Sequence, residues 1–255
     1  MPRIKQQAVC IRHIDWSETS QVVALLTEEH GKVRGLAKGS RRTSPGAVQR
    51  FSGGIELLTL GQVVGTLKST TELMSITEWD LQQPFYHLRT DLRAQRLGLY
   101  AADLAGAMVE DREPHPRCFR SLCDMLEQLA TTAHRSAALL HYQWTVLDDC
   151  GYRPELDADV VSGEVLPSAR SYTFDPRNGG LTMQASNDVN TWQVRRQTVD
   201  LLLELRDHRP AITDLAETYA GRDESLDRAN RLLCVYVRSL LDRQLPTMDF
   251  VLSTK

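Results

Sequence analysis

The sequence has no GxxxxGKS or GxxxxGKT, no GxGxxG, no HExxH and no GxSxG. Nucleotide hydrolysis, dinucleotide chemistry and the commonest hydrolase sites therefore lack a signature. Cysteine is sparse: Cys10, Cys118, Cys123, Cys150 and Cys234 are scattered and odd in number, with no CxxC pair. That pattern reads as reduced thiols rather than a disulfide framework or a zinc site. Long apolar runs are missing too, since no window approaches the roughly eighteen residues of a membrane span, and the first residues, MPRIKQQAVCIRHIDWSE, hold no apolar signal region. A cytoplasmic location is expected, with no membrane partner. Lysine is rare beyond residue 80, where the terminal Lys255 stands alone against a background of arginine. What is present, 42% hydrophobic and 25% charged residues, is ordinary globular composition with ample material for a core.

Acidic residues are missing from one stretch where basic ones crowd. Lys32 to Arg50, KVRGLAKGSRRTSPGAVQR, carries six basic residues and no acidic one in a chain of net charge -3. The remainder of the chain is therefore at -9, so the run is no by-product of a basic protein. It points to an anionic partner. Residues 1–80 hold ten Lys or Arg against eight Asp or Glu, whereas residues 81–255 hold twenty against twenty-five. A loop rich in Gly, Ser, Thr and Pro that carries Arg41 and Arg42, with Arg50 just beyond, suits a phosphate backbone. An ordinary solvated hairpin with a basic edge is the plainer alternative.

Hydrophobic patterning divides the chain. Up to about Met74, runs such as QAVCIRHI, QVVALLT, KVRGLAK, FSGGIELLTL and VVGTLKSTTEL predict five short strands and no helix of convincing length. A small closed or nearly closed barrel accommodates them, with Gly53-Gly54 at a bulge or bend. Beyond Trp79 the period becomes helical, from Leu88 to Met108, with Pro114 and Pro116 as a stop. Further helices are expected at about 117–132, 135–150, 191–207, 211–220 and 225–244, the last with an apolar stripe through Ala229, Leu232, Leu233, Tyr236 and Val237. SYTFDPRNGGLTM reads as a hairpin around an Asn-Gly-Gly turn, inserted at about 151–190. The fold class is thus α+β: a five-stranded barrel over residues 1–80, then a mainly helical domain over 81–255. Trp16, at a strand end, is a candidate base-stacking platform; Trp79, Trp144 and Trp192 read as packing residues.

In this order, TEEHGKVRGLAKGSRR in the barrel, then helices interrupted by GYRPELDADVVSGEVL and FDPRNGGL, the chain resembles the RecO family of bacterial recombination mediators. The resemblance implies an OB-fold barrel and a protein that is not an enzyme. It also implies binding of single- and double-stranded DNA, annealing of complementary strands, and RecR and the single-stranded-DNA-binding protein as partners. RecA would be loaded indirectly, in the nucleoid. The family's basic motif falls on Lys32, Arg34, Lys38, Arg41 and Arg42, to which charge alone adds Arg50. Arg117 and Arg120, preceding Leu122, Met125 and Leu126, are candidates for a partner contact. A competing reading is a non-catalytic adaptor whose barrel binds an acidic protein tail.

Many RecO-like proteins carry two CxxC pairs in the inserted segment. The matching positions here are Asp159, Ser162, Met183 and Ser186, none a thiolate. Two hydroxyls, a thioether and one carboxylate make a poor tetrahedral zinc set, and Cys150 adds a single ligand. No cofactor is expected on these grounds.

Overall fold

The computed structural model describes residues 3–67, 71–184 and 191–253. Internal packing divides the chain into two compact units, Met1–Ala130 and Thr131–Lys255.

In the first unit, β1 (Arg3–Asp15), β2 (Gln21–Thr27), β3 (Gly31–Ala37), β4 (Leu60–Thr66) and β5 (Met74–Gln83) close into a barrel of order β1-β2-β3-β5-β4. The 13 residues of β1 let it serve two neighbours, pairing β4 through Arg3–Val9 and β2 through Ala8–Asp15. A register shift between Cys10 and Arg12 bends it between the two. Closure comes from a short parallel pairing of β3 with β5, Gly35–Ala37 against Met74–Ile76. This is the five-stranded OB arrangement. Alternate residues fill the interior, among them Ala8, Val23, Leu25, Val33, Val63, Met74 and Trp79. Of these, each Val, Leu or Met side chain contributes about 1.5–3 kcal/mol by leaving water.

Two strand expectations need correction. FSGGIELLTL is not a strand: α1 (Pro45–Phe51) occupies its start, with Pro45 in the first turn, where its fixed φ suits a helix. Gly53, Gly54 and Leu58 then take φ of +89°, +133° and +57°, which a strand cannot contain. The apolar signal of the segment is real, because Phe51 and Ile55 are buried in the barrel core. They enter it from a helix end and a loop rather than from a ladder. The fourth strand instead spans Leu60–Thr66, and the fifth begins at Met74, where the strand pattern was expected to end. Lys68, Ser69 and Thr70 of the run VVGTLKSTTEL lie outside the described residues.

The barrel is followed in the same unit by the single turn α2 (His87–Thr90), then α3 (Leu92–Met108) and α4 (Pro116–Gln128). Asp91 caps α3, its carboxylate accepting from the Ala94 N–H at 2.9 Å. Pro116 opens α4 rather than closing the helix before it. The segment between these helices is attached to the barrel: the Arg112 N–H donates to the Lys32 carbonyl at 2.9 Å, and Lys32 and Asp111 form a parallel bridge. Gly31, at φ +58°, makes this approach feasible. A Cβ there would stand 1.8 Å from the Glu113 carbonyl oxygen.

In the second unit, α5 (Arg135–Asp149) ends in a glycine-capped turn, with Gly151 N–H donating to the Asp148 carbonyl and Tyr152 N–H to the Leu147 carbonyl. The inserted hairpin is present as β6 (Ser171–Asp175) and β7 (Gly180–Thr182), and a third strand, β8 (Trp192–Arg195), joins on the other side of β6. The first residues of the helix expected at 191–207 are therefore strand; α6 itself is Arg196–His208. Then come α7 (Ile212–Thr218), α8 (Asp223–Leu241) and α9 (Asp249–Leu252). Helices α5 and α8 are fastened by a buried polar pair: Gln143 Nε2 donates to Asn230 Oδ1 at 2.8 Å, and Asn230 Nδ2 to the Ser136 carbonyl at 2.9 Å. Phe174 of β6 meets Tyr236 of α8 edge to face at 5.3 Å, which seats the small sheet on the helix.

Candidate nucleic-acid interface

Between β3 and α1 the chain makes a tight turn, Lys38 to Arg41, and this turn is anchored at successive residues to the loop joining β1 and β2. The Gly39 N–H donates to Ser20 Oγ at 3.2 Å, the Arg41 N–H to the Thr19 carbonyl at 3.1 Å, and Ser40 Oγ to Gln21 Oε1 at 3.0 Å. Gln21 is itself engaged at both ends of its amide, since its Oε1 also accepts from the Ile55 N–H and its Nε2 donates to the Ile55 carbonyl. Buried amides are stable when satisfied in this way. Sequence composition suggests a flexible basic loop; the structure fixes its backbone and leaves its cations exposed.

The six cations of the basic run fall into separate groups. Lys32 is only 12% exposed: its ammonium donates to the Gly106 carbonyl at 2.6 Å and pairs with Asp111 at 3.2 Å. Arg34 pairs with the other oxygen of the same carboxylate at 3.3 Å. Arg41 is held by Asp15 at 2.5 Å. Lys38, Arg42 and Arg50 are different. All three are exposed, and among the described residues none forms an ion pair. They line one cleft of about 340 Å³ together with Trp16 and Leu36. Arg50 reaches it from α1, where Nε donates to the Gly46 carbonyl at 3.1 Å. Trp16 is 70% exposed, in contrast to the buried Trp79 and Trp144.

On α4, Arg120 pairs with Glu28 at 2.8 Å, and Arg117 is half-buried and engaged by a neighbour. Leu122, Met125 and Leu126, the apolar residues expected to accompany them on a surface, are fully buried. Their helical spacing is that of a core stripe.

The inserted segment uses Asp159 in an unexpected way. Its carboxylate is 5% exposed and accepts from the Val161 and Ser162 N–H groups at 2.9 and 3.1 Å through one oxygen. The other oxygen accepts from Thr182 Oγ1 at 2.9 Å and Met183 N–H at 2.7 Å. Burial pushes its pKa up, but the three backbone donors and the Thr182 hydroxyl outweigh burial and hold it down, at about 2. One ionised side chain thus clamps the two turns between which the paired positions lie. Ser162 and Met183 are exposed and Ser186 lies outside the described residues.

The expectation that the chain lacks a metal-binding group is corrected by different residues. His115, Cys118 and Cys150 each offer one ligand atom, and these lie within 4.8 Å of one another. An imidazole and two thiols are the donor set of zinc sites, so the group could hold such an ion. Sequence inspection missed it because it contains no CxxC pair: His115 and Cys118 stand three residues apart, but Cys150 follows only 32 residues later. Two other thiols are held protonated: burial pushes Cys10 up to about 12, and burial, with Asp124 and Glu28 adding to it, does the same to Cys123.

Comparison with known proteins agrees with this architecture. The family model described as "Recombination protein O N terminal" matches residues 1–85, and that described as "Recombination protein O C terminal" matches residues 89–249. Similar over nearly the whole length are the DNA repair protein RecO of Anaeromyxobacter sp. (strain K), 30% identical with 98% of this chain and 96% of the relative covered, and that of Myxococcus xanthus (strain DK1622), 30% identical with 98% of each covered. The DNA repair protein RecO of Geobacter sulfurreducens is 32% identical over 66% of this chain and 67% of its own. Among the described residues no helix is long and apolar enough to cross a membrane.

Proposed function

The chain belongs to the RecO family of DNA repair and recombination proteins, which act as mediators and not as enzymes, and on that premise we propose that it binds DNA through the barrel and promotes annealing of complementary strands. The observation that carries this reading is the cluster of Lys38, Arg42 and Arg50, three exposed cations that form no ion pair among the described residues and line one cleft. Cations left unpaired on an otherwise acidic chain gain most from phosphates, whose condensed counterions they release. Lys32, Arg34 and Arg41 contribute to the same positive field, reduced by Asp111 and Asp15. In this proposal residues 1–80 bind single- and double-stranded DNA in the bacterial cytoplasm. The helical part from residue 81 onward meets RecR and the single-stranded-DNA-binding protein, with Arg117 and Arg120 as contact residues, so that RecA can be loaded.

Two measurements test it. Replacing Lys38, Arg42 and Arg50 together with Ala should lower the slope of log affinity against log salt by about two to three units, since each phosphate contact contributes about 0.7–0.9. Stopped-flow annealing of labelled oligonucleotides should be accelerated without added nucleotide, and the acceleration should fade with salt as the Debye length shrinks from about 10 Å at 0.1 M to 3 Å at 1 M. An unchanged slope removes these residues from the interface. Failure to bind DNA at low salt, with retained binding of an acidic peptide, would favour the adaptor.

A further inference from the structure

Trp16 is unusual for a tryptophan. Leaving so large an apolar ring 70% exposed forgoes the burial that Trp79 and Trp144 achieve. Nor does its backbone sit on a loose tip: the Trp16 backbone N–H donates to the Ser20 carbonyl at 2.9 Å, and Ser20 Oγ in turn accepts from the Gly39 N–H of the basic turn. The ring and Lys38 are thus presented by loops fastened to each other, and Arg42, together with Arg50 of α1, completes one cleft with Leu36 at its side. Glu18, the remaining acidic residue of the Trp16 loop, does not line the cleft, and Asp15 is already paired with Arg41.

A volume of about 340 Å³ lies at the small end of the roughly 300–1,000 Å³ typical of ligand pockets and has room for one base. Phosphates alone would need no aromatic ring, and a duplex would offer it none, because its bases are stacked and paired and extruding one costs a few kcal/mol. We propose that this cleft takes a single unpaired nucleotide of a DNA strand, with its base stacked on Trp16 and its flanking phosphates on Lys38, Arg42 and Arg50. The cleft then discriminates single-stranded from duplex DNA without reading sequence, since every base has a π-face. This inference rests on the proposed DNA-binding function but adds a contact to the base.

The test uses the full chain, its Trp16→Ala and Trp16→Phe variants, and three probes of equal length: a thymidine oligonucleotide, the same backbone without bases, and a duplex. Affinities are measured across salt, with thermal midpoints confirming that the variants fold. Wild type should bind the thymidine strand roughly five- to hundredfold more tightly than the abasic strand, the range expected of one stacked base. Trp16→Ala should abolish that difference while leaving abasic affinity, duplex affinity and salt slope unchanged, and Trp16→Phe should retain most of it. The proposal is overturned if wild type does not distinguish thymidine from abasic strands, or if Trp16→Ala weakens both equally. Either result, with a steep salt slope preserved, removes the stacking contact and spares the phosphate contacts. Loss of all binding, with no salt slope in wild type, removes both.

Discussion

The cleft beside Trp16 and the turn around Asp159 handle charge in opposite ways. Around the cleft, Lys38, Arg42 and Arg50 point into solvent with no counter-charge among the described residues. In the inserted segment a single carboxylate is buried and committed on both oxygens to four donors of its own chain. An uncompensated surface charge contributes little to the fold and is free to act on a partner. A buried charge is tolerated only when saturated, and once saturated it holds structure together. The contrast separates charged side chains left available to a partner from a charged side chain that maintains the shape.

The strongest way to break the contrast is Asp159→Ala. It leaves three backbone N–H groups and the Thr182 hydroxyl without acceptors, and should destabilise the second unit by about 3 kcal/mol in denaturant titrations, with the DNA salt slope unaltered. Asp159→Asn keeps one acceptor oxygen and should cost about half as much. Acid sharpens the same point. Because the folded pKa of Asp159 is depressed to about 2, the folded state binds fewer protons than the unfolded chain between there and the usual carboxylate value near 4. Its stabilisation is therefore complete above pH about 4 and fades as pH falls towards 2. The stability gap between wild type and Asp159→Ala, followed by circular dichroism, should narrow over that window.

At the cleft the expected changes in stability are small. Arg42→Gln should alter unfolding free energy by less than about 0.5 kcal/mol, while removing close to one contact from the salt slope. Smallest of all should be the effect of Arg41→Ala on DNA binding, measured under the same conditions, since Asp15 already occupies that guanidinium. An Arg41 effect equal to that of Arg42 would mean that the ion pair opens when DNA arrives and that unpaired charge is a poor guide to the interface.

The first three strands were legible because each is a run of alternating apolar residues ended by turn residues, and β2 falls where QVVALLT predicts it. FSGGIELLTL misled because burial of Phe51 and Ile55 produces the same apolar density whether they arrive from a strand or from a helix end and a loop. At residue 191 the helical pattern of α6 extended backwards over β8, whose four residues carry too little periodicity to announce themselves. The basic cluster was visible as composition. Its division was not, because Asp15 and Asp111, which pair with half of the cations, come from other segments. Asp159 read as a missing thiolate; only the positions of Thr182 and Met183 reveal it as an acceptor for both turns. His115 and Cys118 share one turn of sequence, but Cys150 belongs to a distant segment, so the three had no joint signature.

Gly31 bears on how this chain can be inherited. The two family models part between residues 85 and 89, whereas the first compact unit continues to Ala130. At Gly31 the barrel leaves room for the Glu113 carbonyl and for nothing larger, and Arg112 borrows the Lys32 carbonyl as its acceptor. A genetic crossover at the seam between the two models would divide these partners, bringing a foreign β2–β3 turn against a native 110–113 segment. Hybrids whose incoming turn lacks a glycine at that place should be purged, so the turn and the distant segment are bound to travel, and to diverge, as a single heritable block.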